Sequence, residues 1–299
     1  MSTTKNIVME PPQPPPVNMA GDLVESAKRA AAQHAVRDHL KSEYTCIGIG
    51  SGSTIKYVVD TIAAMPKDTT SKMKFVPTGS QSRDLILDAK LPLLTSETLV
   101  LENDYVPGQQ YIDVCFDGAD EVDSELNCIK GGGACHFEEK FVAVLSKRFI
   151  CVADYRKKVP NLLTNWPGIP VEVMPRRTEY VRRELISMGS RKPYVRSGLP
   201  GKAGPVVTDN GMNLIDAPFP PLLLNSERER EDPSKGLYTV ESLSKSIGAL
   251  EGVIGVGIFS GPTGPEAKDQ RKRGGQKPVM VYFGMEDGSV QTLESTNQH

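Results

Sequence analysis

The fold is decided by residues 46–66, which read CIGIGSGSTIKYVVDTIAAMP. The first four residues form a mostly apolar run, which is typical of a short buried strand. Apolar side chains recur with helical spacing from Ile55 until Pro66, which cannot continue a helix. The glycine-containing segment GSGST lies between the two. The stretch therefore predicts a strand, a tight loop and a helix, which is the repeating unit of a parallel α/β sheet.

The same alternation continues on both sides of this stretch. Strand-like runs read KFVPT, YIDVCFDG and FICVAD, and helix-like segments read DLVESAKRAAAQHAVRDHL, SQSRDLILDAK and HFEEKFVAVLSKR. Because helices cover both faces of a parallel sheet, residues 21–165 are predicted to form a doubly wound, mostly parallel, Rossmann-like α/β domain. We expect Asp22 to cap the first helix. In the last helix we expect four apolar residues to face inward: Phe137, Phe141, Val144 and Leu145.

The pattern changes near residue 166. Segments then follow in the order β-α-β-β-α-β, which is typical of a ferredoxin-like fold. Within this order, Asn210 and Gly211 predict a type I′ hairpin, and VIGVGIFS is read as one strand. We therefore predict a second, smaller α+β domain over residues 166–255. Residues 256–299 are predicted to return to the first domain through a hairpin that turns at Asp287 and Gly288.

Three segments have neither helical nor strand periodicity. Residues 1–20 contain the proline-rich run EPPQPPPVN and are predicted to be a disordered tail. Residues 218–232 and 261–277 have loop composition and are predicted to be insertions.

The composition limits the classes of function. A formal net charge of −2 and an aromatic content of 6% argue against a nucleic-acid partner. No run approaches the roughly 20 apolar residues of a membrane span, and no signal-peptide core begins the chain, so we expect a cytoplasmic protein. The five cysteines form no C-x-x-C pair and the four histidines are scattered, which favours reduced thiols and argues against a zinc cluster.

The segment GIGSGST, residues 48–54, has the composition of a phosphate-binding loop. Glycines allow a ligand to approach the backbone, and the following helix begins with free N–H groups. A dinucleotide-binding loop would need a glycine where Ser53 stands, and a P-loop would need Gly-Lys-Ser/Thr. We therefore predict a cradle for a single phosphate. The alternative is a tight turn with a capping hydroxyl.

The segment DGADEVD, residues 117–123, places four acidic residues after a strand. Ligands of parallel sheets bind beyond the carboxyl ends of the strands, so these acids are candidates for substrate binding. Two alternatives are turn-forming, capping carboxylates and a divalent-metal site. The nearby Lys130 and the lack of histidines argue against a metal but leave Mg²⁺ open.

The segment IKGGGACHFEEK, residues 129–140, combines a cation, bare backbone and carboxylates. Lys130 can hold a developing oxyanion, and the three glycines can point N–H groups at substrate oxygens. Glu138 and Glu139 fall in the first turn of the next helix, where acids are also favoured by the helix dipole. Three such loops at the strand ends of one sheet favour an active site.

Eight segments together resemble a known family, the ribose-5-phosphate isomerases of type A, and its eukaryotic members most closely. They lie in order between residues 48 and 290 and read GIGSGST, DGADEVD, IKGGG, EEK, FICVADYRK, PVEVMP, GPVVTDNG and VYFGMEDGSV. The resemblance implies interconversion of D-ribose 5-phosphate and D-ribulose 5-phosphate through an enediolate, in the non-oxidative branch of the pentose phosphate pathway. It also implies that no metal or cofactor is needed and that the protein is a homodimer or homotetramer.

The resemblance further implies roles for individual residues. Glu139 is expected to be the general base, Asp117 to help open the sugar ring and move hydroxyl protons, and Lys130 to stabilise the enediolate. Because neighbours on a helix point about 100° apart, only one of Glu138 and Glu139 should face the site. The expected substrate-binding residues are Ser51, Gly52, Ser53, Thr54, Asp120, Gly131, Gly132 and Gly133, with Lys157 and Lys28 as anion contacts.

Two residues depart from the family pattern. Gly79 stands where a serine is expected, and His136 stands where an apolar residue is usual. We expect His136 to be a surface or capping residue. Two other functions were weighed: a non-catalytic sugar-phosphate sensor and an enzyme similar to coenzyme A transferases. The sequence shows no helix-turn-helix pattern, and a sensor would have little use for Lys130 together with Glu139.

Overall fold

The computed structural model describes residues 19–103 and 106–295, so most of the predicted tail, residues 1–20, lies outside the described residues. The described helices are α1 (Met19–His39), α2 (Ile55–Ala63), α3 (Lys67–Thr70), α4 (Ser80–Asp88), α5 (Ser96–Glu102), α6 (His136–Val144), α7 (Thr178–Ser187), α8 (Val240–Gly248) and α9 (Gly264–Asp269). The described strands are β1 (Cys46–Ile49), β2 (Lys74–Pro77), β3 (Val114–Asp117), β4 (Glu121–Val122), β5 (Cys128–Ile129), β6 (Phe149–Asp154), β7 (Ile169–Val173), β8 (Tyr194–Val195), β9 (Asn213–Ala217), β10 (Val253–Val256), β11 (Ile258–Phe259), β12 (Met280–Gly284) and β13 (Val290–Glu294).

The central sheet has the strand order β13-β12-β6-β3-β1-β2. All neighbours are parallel except the edge strand β13, which is antiparallel to β12. The chain adds β2 on one side of β1 and then crosses to add β3 on the other side. The predicted mostly parallel α/β sheet is therefore confirmed, and its strand order reverses between β1 and β3. A crevice at such a reversal is the usual ligand site of an open α/β sheet.

Side chains of the central strands alternate between two buried layers. Ile47, Val114 and Ile150 pack with apolar residues of α1 and α2 on one face. Cys115 and Cys151 pack with Val142 and Ala143 of α6 on the other face. Both faces are thus covered, which fixes the sheet between helices and leaves its strand ends free to carry loops.

The second sheet has the strand order β10-β7-β9-β8, and all its neighbours are antiparallel. In chain order these strands and helices run β7, α7, β8, β9, α8 and β10, which gives the order 4-1-3-2 of a ferredoxin-like sheet. The predicted smaller α+β fold is therefore confirmed. The predicted domain boundaries, residues 21–165 with 256–299 and residues 166–255, stay a prediction.

Several local predictions were wrong. Helix α1 begins at Met19, so Asp22 lies inside it and not at its N-cap. A type I′ turn needs a positive φ at both central residues. Gly211 has a φ of 75° but Asn210 does not have a positive φ, so the hairpin is not of type I′. Residues 261–277 contain helix α9 in addition to loop, because Thr263 and Glu266 form a capping box that the loop-like composition concealed.

The run VIGVGIFS forms two strands and not one. It breaks at Gly257, after which β11 pairs with β5 in a separate sheet ordered β11-β5-β4. The break has a backbone cause, since the Gly257 amide donates to Pro170 O and the Gly257 carbonyl accepts from the Lys130 amide. Within residues 19–103 and 106–295, no helix is both long enough and apolar enough for a membrane span.

The predicted inward face of α6 was wrong in part: Leu145 is buried as expected, but Phe137 and Val144 are only half-buried. The buried residues of this helix are His136, Glu139, Val142 and Ala143, whereas Phe141 is exposed. Hydrophobic periodicity assumes an apolar interior, but the first turn of α6 faces polar groups at the strand ends of the central sheet.

Candidate active site

A cavity of about 180 Å³ opens where the carboxyl ends of β1 and β3 meet. The loops that follow these strands start side by side, since the Gly50 amide donates to Phe116 O at 2.8 Å. All predicted site residues except Asp117 line this cavity: Lys28, Ser51, Gly52, Ser53, Thr54, Asp120, Lys130, Gly131, Gly132, Gly133, Glu139 and Lys157. Asp117 lies directly behind the wall, fully buried. The structure therefore brings together three loops that are far apart in the chain.

The centre of the cavity is one ammonium group between two carboxylates. Lys130 Nζ lies 2.9 Å from Asp117 Oδ2 and 3.3 Å from Glu139 Oε2. The same nitrogen donates a hydrogen bond to Gly118 O. All three side chains are removed from water, with exposures of 3% for Lys130, 0% for Asp117 and 4% for Glu139. Electrostatic interactions are strongest in such a dehydrated setting.

This arrangement separates the proton affinities of Asp117 and Lys130. Burial and the nearby Glu139 carboxylate raise the pKa of Asp117 to about 7, against the opposing effect of Lys130. Burial alone would lower the pKa of Lys130, but Asp117 and Glu139 together hold it well above its usual value. Lys130 is therefore a fixed cation, and Asp117 can gain or lose a proton near neutral pH.

Glu138 and Glu139 face different surroundings. The Glu139 carboxylate accepts a hydrogen bond from Ser51 Oγ inside the cavity. Glu138 instead lines a separate cavity with Gly79 and Asp209, and burial raises its pKa. Of these two glutamates, only Glu139 reaches the ammonium group of Lys130.

Two of the three glycines are required by close contacts. Gly131 has φ of 114°, and a Cβ there would lie 2.8 Å from His136 Nδ1. A Cβ at Gly132 would lie 2.6 Å from Asp120 Oδ1, and the Gly132 amide donates to Asp120 Oδ2 at 2.7 Å. The loop can therefore approach Asp120 only because side chains are absent. Asp120 is thereby fixed at the cavity wall.

The loop after β1 offers hydroxyl groups at one end of the cavity. The Thr54 side chain precedes α2 but makes no capping hydrogen bond, so its hydroxyl remains available to a ligand. Lys28 Nζ lies 2.9 Å from Ser53 Oγ and 2.7 Å from Glu25 Oε1. Lys157 Nζ lies 5.1 Å from the centroid of the Trp166 ring. Two cations and several hydroxyls thus line the same cavity.

Two arginines near the site were not among the predicted residues. Arg156 lines the cavity, and its guanidinium bonds to both carboxylate oxygens of Asp154, at 2.6 and 3.0 Å. Its signal was present, because it stands beside Lys157 in the segment ADYRK. Arg196 donates to Gly131 O at 2.9 Å and pairs with Asp216. Arg196 directly follows β8, so that contact joins the second sheet to the glycine loop. No local sequence pattern could have indicated it.

The four acids of residues 117–123 divide into two pairs. Asp117 and Asp120 belong to the cavity. Glu121 accepts backbone hydrogen bonds from Leu163, Asn165 and Trp166, and Asp123 accepts from Glu125 and Asn127. The turn-forming alternative therefore applies to Glu121 and Asp123. Among the described residues, no group of three or more His, Cys, Asp or Glu side chains could hold a metal ion.

His136 is fully buried, so the expectation of a surface or capping residue was wrong. Burial, with a further contribution from Lys140, lowers the pKa of His136 to about 3, so its imidazole is neutral. Gly79 has extended backbone and lies on the Glu138 side of α6, where a Cβ would meet Cys135 Sγ at 3.1 Å. All five cysteines are free thiols, as predicted.

Comparison with known proteins gives one consistent family. Residues 74–265 match the family model described as ribose 5-phosphate isomerase A (phosphoriboisomerase A). The chain is 46% identical over 268 residues to the ribose-5-phosphate isomerase of Mycosarcoma maydis, covering 89% of this chain and 80% of that protein. It is 45% identical over 284 residues to the enzyme of the same name from Eremothecium gossypii, covering 91% of this chain and 94% of that protein.

Solved structures give the same result. The structure of ribose 5-phosphate isomerase A from Methanocaldococcus jannaschii is 30% identical, with a TM-score of 0.69, covering 91% of this chain and 99% of that one. A D-ribose-5-phosphate isomerase in complex with phospho-erythronic acid is 29% identical, with a TM-score of 0.71 and the same coverage of both chains.

Proposed function

The chain belongs to the ribose 5-phosphate isomerase A family, and from that premise we propose that it interconverts D-ribose 5-phosphate and D-ribulose 5-phosphate. The single observation that carries this proposal is the contact of the Lys130 ammonium with both Asp117 and Glu139 in a dehydrated cavity. An aldose–ketose isomerisation needs a base for a carbon-bound proton, a cation for the enediolate oxygen, and a group that moves hydroxyl protons. These three side chains supply one of each.

Glu139 is the base in this proposal. In the aldose-to-ketose direction it removes the proton from C2 of the open-chain sugar, and the electron pair forms the C1–C2 double bond of an enediolate. The same carboxylic acid then returns the proton to C1, which leaves a carbonyl at C2. Ser51 supports this role, since its hydroxyl donates to the Glu139 carboxylate and limits its orientation.

Lys130 and Asp117 handle the oxygens. The Lys130 ammonium is positioned to stabilise the negative oxygen of the enediolate, and its raised pKa keeps it charged throughout. The pKa of Asp117, near 7, suits a group that takes a proton from one sugar hydroxyl and gives it to another, including during ring opening. Electrons are only redistributed within the substrate, so the reaction calls for no redox cofactor.

The remaining cavity residues are assigned to substrate binding. Ser51 contacts the base, whereas Gly52, Ser53 and Thr54, together with Lys28 and Lys157, line the part of the cavity where we place the phosphate. Asp120 and the backbone of Gly131, Gly132 and Gly133 are placed at the sugar hydroxyls. A fixed backbone cradle of this kind orients the substrate without side-chain rearrangement.

The wider setting is part of the same proposal. We infer a sugar-phosphate substrate, no nucleic-acid or membrane partner, a cytoplasmic location, and a role in the non-oxidative branch of the pentose phosphate pathway. We also infer a homodimer or homotetramer. Catalysis is inferred to need no metal ion, because the Lys130 ammonium occupies the place at which a metal would act as Lewis acid.

The test is an assay of the purified chain with D-ribose 5-phosphate in the presence of EDTA. We expect formation of D-ribulose 5-phosphate at an undiminished rate. No turnover would contradict the proposed reaction, and a loss that Mg²⁺ restores would contradict metal-free catalysis. In D₂O, we expect deuterium from the solvent at C1 of the ketose. Its complete absence at equilibrium would contradict the enediolate.

A further inference from the structure

Lys140 follows the proposed base directly in the segment EEK, but it has no part in the mechanism above. A helix turns about 100° per residue, so Lys140 points away from the cavity that Glu139 faces. Its ammonium group donates to Val256 O at 2.7 Å and to Ile258 O at 2.7 Å. These carbonyls end β10 and begin β11, so one side chain bonds to both sheets at the point where the strand breaks.

The residue between these two carbonyls supports Lys130. The Gly257 carbonyl accepts a hydrogen bond from the Lys130 amide at 2.9 Å, and its amide donates to Pro170 O at 2.7 Å. The packing is so close that a Cβ added at Gly257 would overlap the carbonyl oxygen of Lys130. Movement of residues 256–258 would therefore move the backbone of Lys130.

A buried aromatic ring provides a second connection. The Phe259 side chain is fully buried, and Lys140 Nζ lies 4.9 Å from its ring centroid. Lys130 Nζ lies 5.4 Å from the same centroid. Both ammonium groups thus share one ring, and cation–ring attraction is strongest when water is excluded.

We propose that Lys140 is a positioning residue, which holds the helix that carries Glu139 against the segment that supports Lys130. The bonds to Val256 and Ile258 fix α6 relative to Gly257, and Gly257 in turn fixes Lys130. Lys140 therefore sets the separation of 3.3 Å between the Glu139 carboxylate and the Lys130 ammonium without touching the substrate. Removal of its ammonium from water lowers the pKa of Lys140 to about 7, which agrees with a group held against backbone and not directed to solvent. This inference rests on the proposed isomerase function.

The test replaces Lys140 by methionine, which keeps the unbranched side chain up to the ε position but lacks the ammonium donor. We expect kcat for D-ribose 5-phosphate to fall by about 10²-fold, since a displacement of about 1 Å at a catalytic group has this effect. KM should change by less than about threefold, because the proposed phosphate and hydroxyl contacts are unaltered. Lys140→Arg, which can still donate to both carbonyls, should have an intermediate kcat.

The matched control is Lys245→Met. Lys245 lies on α8 and, like Lys140, lines a second cavity of about 720 Å³, which we call the outer cavity. Among the described residues, its ammonium pairs only with Glu241, at 3.3 Å. We expect wild-type kcat and KM for this variant. A large loss of kcat in Lys245→Met would show that the charge of the outer cavity matters, and would overturn the proposed role of the two backbone bonds.

A separate measurement excludes simple loss of folded protein. Calorimetric titration with phospho-erythronic acid, the ligand of the related structure, counts the binding sites in each preparation. We expect full stoichiometry in Lys140→Met, with kcat per site still reduced. Should that variant not fold, Lys140→Gln retains one donor and allows the same comparison. A kcat per site within about threefold of wild type, or equal losses in binding and turnover, would overturn the inference. Failure of the wild-type chain to isomerise ribose 5-phosphate would instead contradict the proposed function.

Discussion

The two sides of the first turn of α6 differ in what they face, although their glutamates are adjacent in the chain. On the inner side, Glu139 lies in the dehydrated cavity, with Ser51 and Lys130 as partners. On the outer side, Glu138 is half-buried beside Asp209 of the small-sheet hairpin. Successive residues of a helix point about 100° apart, so these two identical side chains lie in different environments. In the proposed mechanism, the position on the helix selects the base, and the residue type does not.

The strongest test of this comparison is the exchange of each glutamate for glutamine. Glu139→Gln should lower kcat by about 10² to 10⁴-fold, because the amide cannot accept the carbon-bound proton. The variant should still bind sugar phosphate, since the proposed phosphate loop is untouched. Steady-state kinetics and calorimetric binding of ribose 5-phosphate measure the two effects separately.

Glu138→Gln is the matched control, with the same chemical change on the outer side of the helix. We expect its kcat to stay within about threefold of wild type. A loss of 10² or more in this variant, together with near-normal turnover of Glu139→Gln, would exchange the roles of the two residues.

A second test concerns His136, which begins the buried side of α6. Because its folded-state pKa is lowered to about 3, the folded protein holds the neutral ring while the unfolded chain takes up a proton below about pH 6.5. The contribution of this residue to stability is therefore fully present above pH 6.5 and is lost as pH falls toward 3. In His136→Leu this loss should be absent.

The free energy of unfolding should fall, through His136, by about 1.4 kcal/mol for each pH unit below 6.5, or by about 2 to 3 kcal/mol between pH 7 and pH 4.5. Urea unfolding at pH 7 and pH 4.5 gives the free energy of unfolding of wild type and His136→Leu, and the contribution of His136 is the difference between their changes with pH. His34→Gln, on the outer helix α1, is the control and should follow the wild type. Parallel acid destabilisation of His136→Leu and wild type would contradict a neutral, buried His136.

Much of the central sheet could be predicted because its strands and helices differ in local periodicity. The stretch from Cys46 to Pro66 shows both periods within 21 residues of sequence and was assigned correctly as β1 and α2. The strand order was not predictable in this way, since periodicity does not say on which side of β1 the chain adds β3. The break at Gly257 was missed for a related reason: its cause is a set of backbone bonds to Pro170 and Lys130.

The candidate site was predictable where loops follow strands and unpredictable where sheets meet. Loops after β1 and β3 had to lie together because parallel strands end at one edge. Arg196 was missed because it comes from the second sheet. The predicted inward face of α6 held at Leu145 but failed at Phe141, which is apolar but exposed, whereas Glu139 and His136 are polar but buried. Composition and spacing alone left Glu138 and Glu139 equivalent.

A smaller loss of kcat is expected when the Ser51 hydroxyl, which contacts the proposed base Glu139, is removed. Ser51→Ala removes the donor to the Glu139 carboxylate and should lower kcat by about tenfold, the equivalent of one hydrogen bond to a charged group. Ser53→Ala is the contrasting variant. Its hydroxyl contacts Lys28 at the proposed phosphate end, so KM should rise while kcat changes little. Identical kinetic changes in the two variants would contradict the separation of base and phosphate ends.

The smallest effect is expected from Gly79→Ser, which restores the residue typical of the family on the outer side of α6. The backbone at Gly79 is extended, so serine can adopt it, and the atoms nearest to its Cβ would be Cys135 Sγ at 3.1 Å and Asp209 Oδ2 at 3.2 Å. Asp209 lines the cavity of Glu138, and neither neighbour lines the cavity of Glu139, so kcat/KM should change by less than about threefold. Steady-state kinetics with ribose 5-phosphate checks this. A tenfold change in KM would mean that the outer side of α6 contacts the substrate, and the distinction between the two glutamates would then have to be drawn from turnover alone.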